Sequence, residues 1–388
     1  MTWQPKYTIT REILSNLTRI ERVKEAFENK PLSPVLLNSL HNTAKVTSVH
    51  YSTQIEGNRL SMEQVERTLH TMAKKAATYH QRDEKEVKAY YDALNYMEKY
   101  LEEQGTFTET FIQKVHTLIE GQKKIIPYRE TQNAIYDSVS GALVYLPPEA
   151  KDVPVFMKDM VAWVKENIDN LPTPVIAALV HYQFVTIHPY FDGNGRTARL
   201  ITSFLMRKYG YGLKGIYSLE EYYAKDLASY YEALATHPHH NYYEGRHEAD
   251  LTGWVEYFIK GVAEAFEKVS VKAEAEAQKG FTVDKSPLLR ELDIKQRKVL
   301  ELFVEYKEIT SAQLADYMGI SEQSARILLR KWIAEGFLQI ANQAKKNRTY
   351  TLSQQFENLI TVNTMNKDLE LTDKIIEKNN NVLSKLAK

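Results

Sequence analysis

Cysteine is absent from the 388-residue sequence, which excludes disulfides and thiolate metal sites within it. A chain without cysteine fits a reducing compartment, and we expect a cytoplasmic location. The sequence also has no apolar run of 18 residues and no apolar segment close to Met1, so we predict neither a membrane span nor a secretory signal. Proline and glycine are scarce, at 12 and 15 residues, and apolar residues recur at helical spacing. The sequence therefore predicts a mainly α protein.

Polar groups are concentrated in one segment, His188-Pro-Tyr-Phe-Asp-Gly-Asn-Gly-Arg-Thr-Ala-Arg199. The residues on either side, 175–187 and 200–206, are mostly apolar and predict two buried helices. A polar loop between buried helices is both rigid and accessible, and backbone N–H groups at the start of a helix bind anions. We therefore interpret residues 188–199 as a candidate phosphate site.

The residue types in this segment favour particular roles. Gly193-Asn-Gly195 at a helix start forms an anion nest of N–H groups. Asp192 beside a bound phosphate requires a divalent cation between the two negative groups, and Mg²⁺ is the usual one. Arg196 and Arg199, three residues apart, can clamp a polyphosphate. His188 is the natural proton acceptor for an attacking hydroxyl.

A second candidate is the acidic residue in Tyr51-Ser-Thr-Gln-Ile-Glu-Gly-Asn58. Gly57 is typical of the left-handed residue that ends a helix, which places Glu56 in the last turn. A carboxylate there opposes the helix dipole, so Glu56 requires either solvent or a cationic partner.

One segment departs from the helical pattern. Residues 133–148, NAIYDSVSGALVYLPP, contain two β-branched and aromatic runs around a Gly-containing turn, which predicts a β-hairpin. An isolated hairpin is only marginally stable, so we expect it to pack against something or to present an edge to a partner.

Residues 280–287 are the best predicted domain boundary, because the sequence pattern changes there. Helices are predicted at 295–303, 310–319 and 321–336, followed by strand-like runs at 337–341 and 348–352. This order resembles a winged helix-turn-helix. We predict that domain at residues 288–355, with a polar helical tail at 356–388.

Nucleic-acid binding requires a local basic patch, since Lys+Arg and Asp+Glu both number 50. Residues 321–350 carry six basic and two acidic side chains, a local charge of +4. The candidate DNA contacts are Arg326, Arg330 and Lys331. Winged helices also bind proteins, and the sequence leaves both alternatives open.

The segment 188–199 resembles the signature of the Fic (fido) family, H-P-F-x-D/E-G-N-G-R-x-x-R, with Tyr190 where Phe is usual. The similarity extends over about residues 40–265. It implies a Fic-type helical bundle with a β-hairpin flap, followed by the small winged-helix domain. On this basis we predict an N-terminal helical region at 1–105 and a Fic catalytic core at 106–280.

The resemblance also implies an activity and its residues. The protein would transfer AMP from ATP to a Ser, Thr or Tyr hydroxyl of a target protein, or of itself, and would use Mg²⁺. His188 would be the general base and Asp192 the metal ligand. The ATP-binding residues would be Gly193, Asn194, Gly195, Arg196, Thr197, Ala198, Arg199, Tyr230 and Tyr231. The flap that aligns the target would include Ile135, Val144 and Tyr145.

The family's inhibitory pattern, S/T-x-x-x-E-G/N, matches Ser52-Thr-Gln-Ile-Glu-Gly57. Glu56 would then pair with Arg199 and exclude the γ-phosphate. The alternatives are transfer of another phosphate-linked group such as UMP, phosphocholine or phosphate, removal of AMP by the same site, and a DNA-binding regulator with a nucleotide-sensing core. The target protein and any homodimer are not identified by the sequence.

Overall fold

A computed structural model describes residues 3–28, 34–72, 82–136, 140–279, 292–342, 348–357 and 359–360. Contacts divide the chain into two compact units. The first comprises Met1–Lys30 and His41–Lys272, and the second comprises Pro31–Leu40 and Ala273–Lys388. The boundary proposed between residues 105 and 106 falls inside the first unit, and the finer division of the chain stays a prediction.

The first unit is built from helices, two of which (α2 and α11) also contribute residues to the second unit. The helices are α1 (Arg11–Glu28), α2 (Pro34–Ile55), α3 (Met62–Met72), α4 (Arg82–Glu102), α5 (Glu109–Ile119), α6 (Val153–Asn167), α7 (Thr173–Ile187), α8 (Asn194–Lys208), α9 (Glu220–Lys225), α10 (Leu227–Leu234) and α11 (Thr252–Lys279). The strands are β1 (Ile135–Tyr136) and β2 (Leu143–Tyr145). The predicted mainly α fold is confirmed.

Helix α7 lies at the centre of this unit. All of its side chains except that of Val185 are buried, as expected for a helix that is apolar on every side. Trp254 of α11 packs against it and donates its Nε1–H to the carbonyl of Ala178 at 2.7 Å. The helix ends at Ile187, and its C-cap His188 has a left-handed backbone at φ 50°. Pro189 follows directly and disfavours the right-handed helical conformation at His188.

The predicted hairpin is present but short. Strands β1 and β2 pair antiparallel, with Ile135 opposite Tyr145 and Tyr136 opposite Leu143. Residues 137–139 of the turn lie outside the described residues. Tyr145 is buried and donates its hydroxyl to the carbonyl of Thr186 at 2.6 Å, which attaches the hairpin to α7.

The second unit contains the predicted succession of three helices and two strands. These are α12 (Ile294–Glu305), α13 (Ser311–Met318), α14 (Glu322–Ala334), β3 (Leu338–Asn342) and β4 (Thr349–Leu352), and a short helix α15 (Gln354–Glu357) follows. Capping boxes begin α12 at Asp293 and α13 at Thr310, and Gly319 at φ 62° ends α13. The apolar side chains pack around the fully buried Trp332. Most of the predicted tail, residues 361–388, lies outside the described residues.

Candidate active site

The loop between α7 and α8 holds His188 in one orientation. Its ring Nδ1 lies 3.2 Å from the carbonyl of Val185, an acceptor, so Nδ1 carries the proton and Nε2 is left as the basic nitrogen. Burial lowers the pKa of His188 to about 4, and the nearby Arg129 charge also lowers it. The imidazole is therefore neutral at physiological pH, which is the form that accepts a proton.

Arg129, which the sequence did not single out, fixes the backbone of this loop. Its Nε donates to the carbonyl of His188 at 2.9 Å, and its two terminal nitrogens donate to the carbonyls of Thr131 and Pro148. The Arg129 N–H also donates to the carbonyl of Pro189 at 2.9 Å. A buried guanidinium that binds several carbonyls joins His188 to both ends of the hairpin. A lone arginine in a loop gives no local signal of such a role.

Helix α8 begins directly after the loop. Gly193 is its N-cap at φ 72°, a left-handed conformation that suits glycine. The side chain of Asn194 closes the loop, because it accepts the N–H of Tyr190 at 3.1 Å and donates to the carbonyl of Tyr190 at 2.8 Å. Only the backbone of Asn194 is thus available to an anion. The first N–H groups of α8 have no intrahelical acceptor and point out of the helix start.

Two of the proposed ATP-binding side chains are turned away from the site. Thr197 and Ala198 are fully buried, and the Thr197 hydroxyl lies 3.2 Å from Nδ1 of His116. These positions of α8 face the core, so the two side chains do not line an open surface, and their contact with ATP stays a prediction. Tyr190, the residue at which the loop departs from the Fic signature, is buried and stacks on His116 with ring centroids 3.4 Å apart.

Arg199 is bound by the upstream segment that the sequence predicted to be inhibitory. Its Nη2 lies 2.8 Å from Glu56 Oε1 and 2.9 Å from the carbonyl of Ser52, and its Nε donates to the Ser52 hydroxyl at 2.9 Å. The Arg199 side chain is 1% exposed and that of Glu56 is 32% exposed. A Cβ on Gly195 would lie 2.3 Å from Glu56 Oε1, so the carboxylate lies against the start of α8.

Helix α2, which precedes Glu56, is attached to the first unit by polar side chains on one face. His41 and Lys45 bind the two oxygens of Glu98 on α4, at 2.8 Å and 2.7 Å. One turn further on, the Ser48 hydroxyl donates to the buried Glu220 at 3.0 Å. His41, Lys45, Ser48 and Ser52 follow each other at helical spacing of three or four residues. The position of Glu56 therefore depends on these polar contacts and on the buried Ala44, Val49 and Ile55 of the same helix.

The two predicted adenine-side tyrosines differ in exposure. Tyr230 is buried at 2% exposure, and its hydroxyl lies 2.9 Å from Nε2 of His181. Tyr231 is 51% exposed, and the two ring centroids are 5.3 Å apart. Of the pair, only Tyr231 offers its ring to a ligand in this structure.

One edge of the hairpin, that of β2, is already hydrogen-bonded to other residues of the chain. The carbonyl of Val144 accepts a bond from His240 at 2.6 Å. The backbone of Leu146 bonds to His240 and Tyr242, at 2.8 Å and 3.0 Å. On the other side of the hairpin, the β1 edge faces away from β2. The prediction that the hairpin presents an edge is therefore restricted to β1, which carries Ile135.

Asp192 suits a cation whose remaining ligands are phosphate oxygens and water. Its side chain is 65% exposed, and Oδ1 accepts the Gly193 N–H at 2.6 Å and lies 3.3 Å from Arg196 Nη2. In the part of the chain that the structure describes, no group of three or more Asp, Glu, His or Cys residues forms a metal cage. Mg²⁺ is usually held by one or two carboxylates with substrate phosphates, so a single accessible carboxylate fits it.

The basic residues of the second unit are partly paired. Arg326 binds Glu322 at 2.9 Å, and Lys331 lies 3.8 Å from Asp293 and 3.5 Å from Glu335. Lys345 and Lys346 lie outside the described residues. These ion pairs reduce the positive charge that α14 presents. Asp293 lies outside residues 321–350, over which the local charge of +4 was counted.

Among the described helices, none has both the length and the apolar composition needed to span a bilayer.

Residues 106–206 match the family model described as Fic/DOC family. This segment contains α5, both hairpin strands, α6, α7 and the loop 188–199. The protein adenylyltransferase Fic of Culex quinquefasciatus is 29% identical over 199 residues, covering 50% of this chain and 38% of that protein. Its counterpart in Drosophila grimshawi is 32% identical over 168 residues, covering 42% and 33%. The chain thus matches less than half the length of these curated relatives.

Solved structures establish the fold. A Fic family protein from Desulfovibrio desulfuricans G20 superposes with a TM-score of 0.57 at 21% identity, covering 91% of this chain and 99% of that one. Residues 134–508 of Fic-1 from C. elegans give a TM-score of 0.55 at 22% identity, covering 68% and 73%. The chain therefore has the fold of Fic proteins.

Proposed function

We propose that this protein is a protein adenylyltransferase, which transfers AMP from ATP to a Ser, Thr or Tyr hydroxyl of a target protein and releases pyrophosphate. One observation carries the proposal: a neutral, oriented imidazole and the N–H groups of a helix start meet in the loop between α7 and α8. The similarity of residues 106–206 to Fic domains supports it. The curated relatives are named for this activity.

In the proposed reaction, the target hydroxyl loses its proton to Nε2 of His188 while its oxygen forms a bond to the α-phosphorus. The bond between the α-phosphorus and the bridging oxygen breaks, and pyrophosphate leaves with that electron pair. Backbone N–H groups of residues 193–195 stabilise the α-phosphate oxygens. Arg196 and Arg199 bind the β- and γ-phosphates. Mg²⁺ at Asp192, when bound, neutralises phosphate charge.

Target and nucleotide specificity belong to the same proposal. An extended segment of the target adds to the β1 edge of the hairpin, and main-chain hydrogen bonds bring its hydroxyl to His188. Three exposed apolar side chains, Tyr136, Leu143 and Phe191, support target binding beside this edge. Tyr231 is the better candidate for contact with the adenine ring.

We also infer that Glu56 inhibits the reaction. The Glu56–Arg199 pair of 2.8 Å supports this, because an arginine that binds a carboxylate cannot bind a γ-phosphate with the same nitrogens. The contact of Glu56 with Gly195 supports it further, since a phosphate at the start of α8 would meet a second negative charge there.

Incubation of purified protein with α-³²P-ATP and Mg²⁺ tests the function. We expect Glu56→Gly to label itself about tenfold more than the wild type, and Glu56→Gly/His188→Ala to show no label. A parallel reaction with γ-³²P-ATP separates AMP transfer, which leaves the γ-phosphate in pyrophosphate, from phosphate transfer. Equal labelling of Glu56→Gly with and without His188 would refute the role of His188. Competition by unlabelled UTP or GTP tests the nucleotide preference.

A further inference from the structure

Arg196, the first arginine of the loop motif, is bound by two carboxylates. Its Nη2 lies 3.1 Å from Glu120 Oε1 and 3.3 Å from Asp192 Oδ1. The Arg196 side chain is only 5% exposed, and its Nε is buried without a hydrogen-bond partner in the described residues. The ion pairs of this guanidinium are thus concentrated on one nitrogen.

Glu120 occupies a place that disfavours a negative charge. It directly follows α5 as its C-cap, where the helix dipole opposes a carboxylate. Burial raises the pKa of Glu120, Arg196 opposes this shift, and the charges of Asp192 and Glu86 raise the pKa further. Glu56 has the corresponding position directly after α2.

The Glu120 carboxylate also lies against the start of α8. A Cβ on Gly193 would lie 2.5 Å from Glu120 Oε1. Glu120 is therefore close both to an arginine and to the helix N-terminus that suit a phosphate. A carboxylate at this place repels a polyphosphate and occupies a nitrogen that a phosphate needs for bidentate binding.

We propose that Glu120 is a second carboxylate that competes with the nucleotide's β- and γ-phosphates, here for Arg196, as Glu56 does for Arg199. The proposal rests on the phosphate roles given to the two arginines under the proposed function. Both carboxylates follow helices with buried apolar side chains: Ala44, Val49 and Ile55 on α2, and Phe111, Ile112 and Val115 on α5. Glu120 yields to nucleotide by side-chain rotation and thereby sets the affinity for it.

Calorimetric titration of the full chain with ATP, ADP and AMP tests this proposal. We compare Glu120→Gln with the parent in a Glu56→Gly background, so that the first carboxylate is absent from both. Glu120→Gln keeps the size of the side chain and removes its charge. We expect ATP to bind about tenfold more tightly, ADP also more tightly, and AMP with unchanged affinity, because AMP lacks the β- and γ-phosphates.

Glu109→Gln is the matched control, because it neutralises a carboxylate at the other end of α5 that accepts a bond from Tyr128. ATP affinity should not change in that variant. Glu120→Ala, which removes the contact entirely, must tighten ATP binding as well. Weaker ATP binding by Glu120→Gln, or equal tightening for AMP, refutes competition and assigns Glu120 the orientation of Arg196 instead. Titration needs no turnover, so tighter ATP binding without labelling would contradict the proposed function alone.

Discussion

Neutralisation of Glu98 should release α2 and raise activity although Glu98 is remote from the loop motif in sequence. Glu98 is 19% exposed and binds two cations, Lys45 of α2 and Arg207 of α8 at 2.8 Å, together with the His41 ring of α2. The side chains of Lys45 and Arg207 are 11% and 12% exposed. Glu98→Gln removes the shared negative charge and leaves these cations less well compensated.

The size of the effect follows from these contacts. Loss of one partner of a fully buried pair costs about 3–5 kcal/mol. Partial exposure and the oxygen that glutamine retains reduce this to about 2 kcal/mol in the free energy of unfolding. We assign about half of the loss to the contacts with α2. That corresponds to a roughly fivefold larger fraction of protein with α2 released, and hence to roughly fivefold more labelling from α-³²P-ATP than in the wild type.

The measurement pairs urea unfolding with labelling, and Glu267→Gln is the control. Glu267 also binds two arginines, Arg19 and Arg22, but these lie on α1. That variant should lose stability without a gain in labelling. If Glu98→Gln is destabilised and labels no faster than the wild type, α2 does not control the site through this contact.

The stabilities of the wild type and Glu98→Gln can also be compared as a function of pH. Burial raises the pKa of Glu98, but the bond from His41 and the charges of Arg207 and Lys45 outweigh it and hold the pKa well below its usual range. A depressed folded-state pKa adds stability above the unfolded value of about 4.5, and this stability is lost as the pH falls. The stability difference between wild type and Glu98→Gln should therefore narrow below that pH.

Three further predictions concern other residues. The kcat/KM of Glu56→Gly should stay flat down to a pH of about 4, where the free-enzyme His188 gains its proton, and an acid limb near 6.5 would contradict the lowered pKa. Arg129→Met should lower the free energy of unfolding by about 2–4 kcal/mol and reduce labelling, because buried carbonyls lose their donor. The stability and labelling of Arg129→Lys should lie between those of the wild type and those of Arg129→Met. If the second unit binds DNA, Arg330→Ala should lower the slope of log affinity against log salt by about 1 in gel shifts, with labelling unchanged.

Local patterns in the sequence located the backbone of the site. The apolar run before His188 predicted a buried helix, and that helix is buried on nearly all sides. Gly57 predicted a helix with Glu56 in its last turn; α2 ends one residue earlier, at Ile55, and Gly57 is left-handed at φ 92°. Such features depend on a few neighbouring residues, so periodicity and capping residues reveal them.

These local patterns could not predict side-chain contacts between residues that are far apart in the sequence. Glu120 and Arg196 are 76 residues apart, and Arg129 and His188 are 59 apart. Nothing near Glu120 or Arg129 in the sequence distinguishes them from solvated charges, which are far more common. Adjacent tyrosines raise the same difficulty, because successive helical positions point in different directions. The sequence could not tell that Tyr230 is buried and Tyr231 exposed.

Both arginines of the motif are buried charges, and this explains why each has a carboxylate. A buried guanidinium without a counter-charge is strongly destabilising, so both arginines require negative groups, which either the protein or a bound anion can supply. Glu56 and Asp192 with Glu120 supply them. If the arginines bind the nucleotide as proposed, a carboxylate that stabilises them opposes nucleotide binding, because both use the same nitrogens. Under the two proposals, Glu56 controls activity and Glu120 sets the affinity for nucleotide. The titration of Glu120→Gln in the Glu56→Gly background measures the contribution of Glu120 alone, because Glu56 is absent from both proteins.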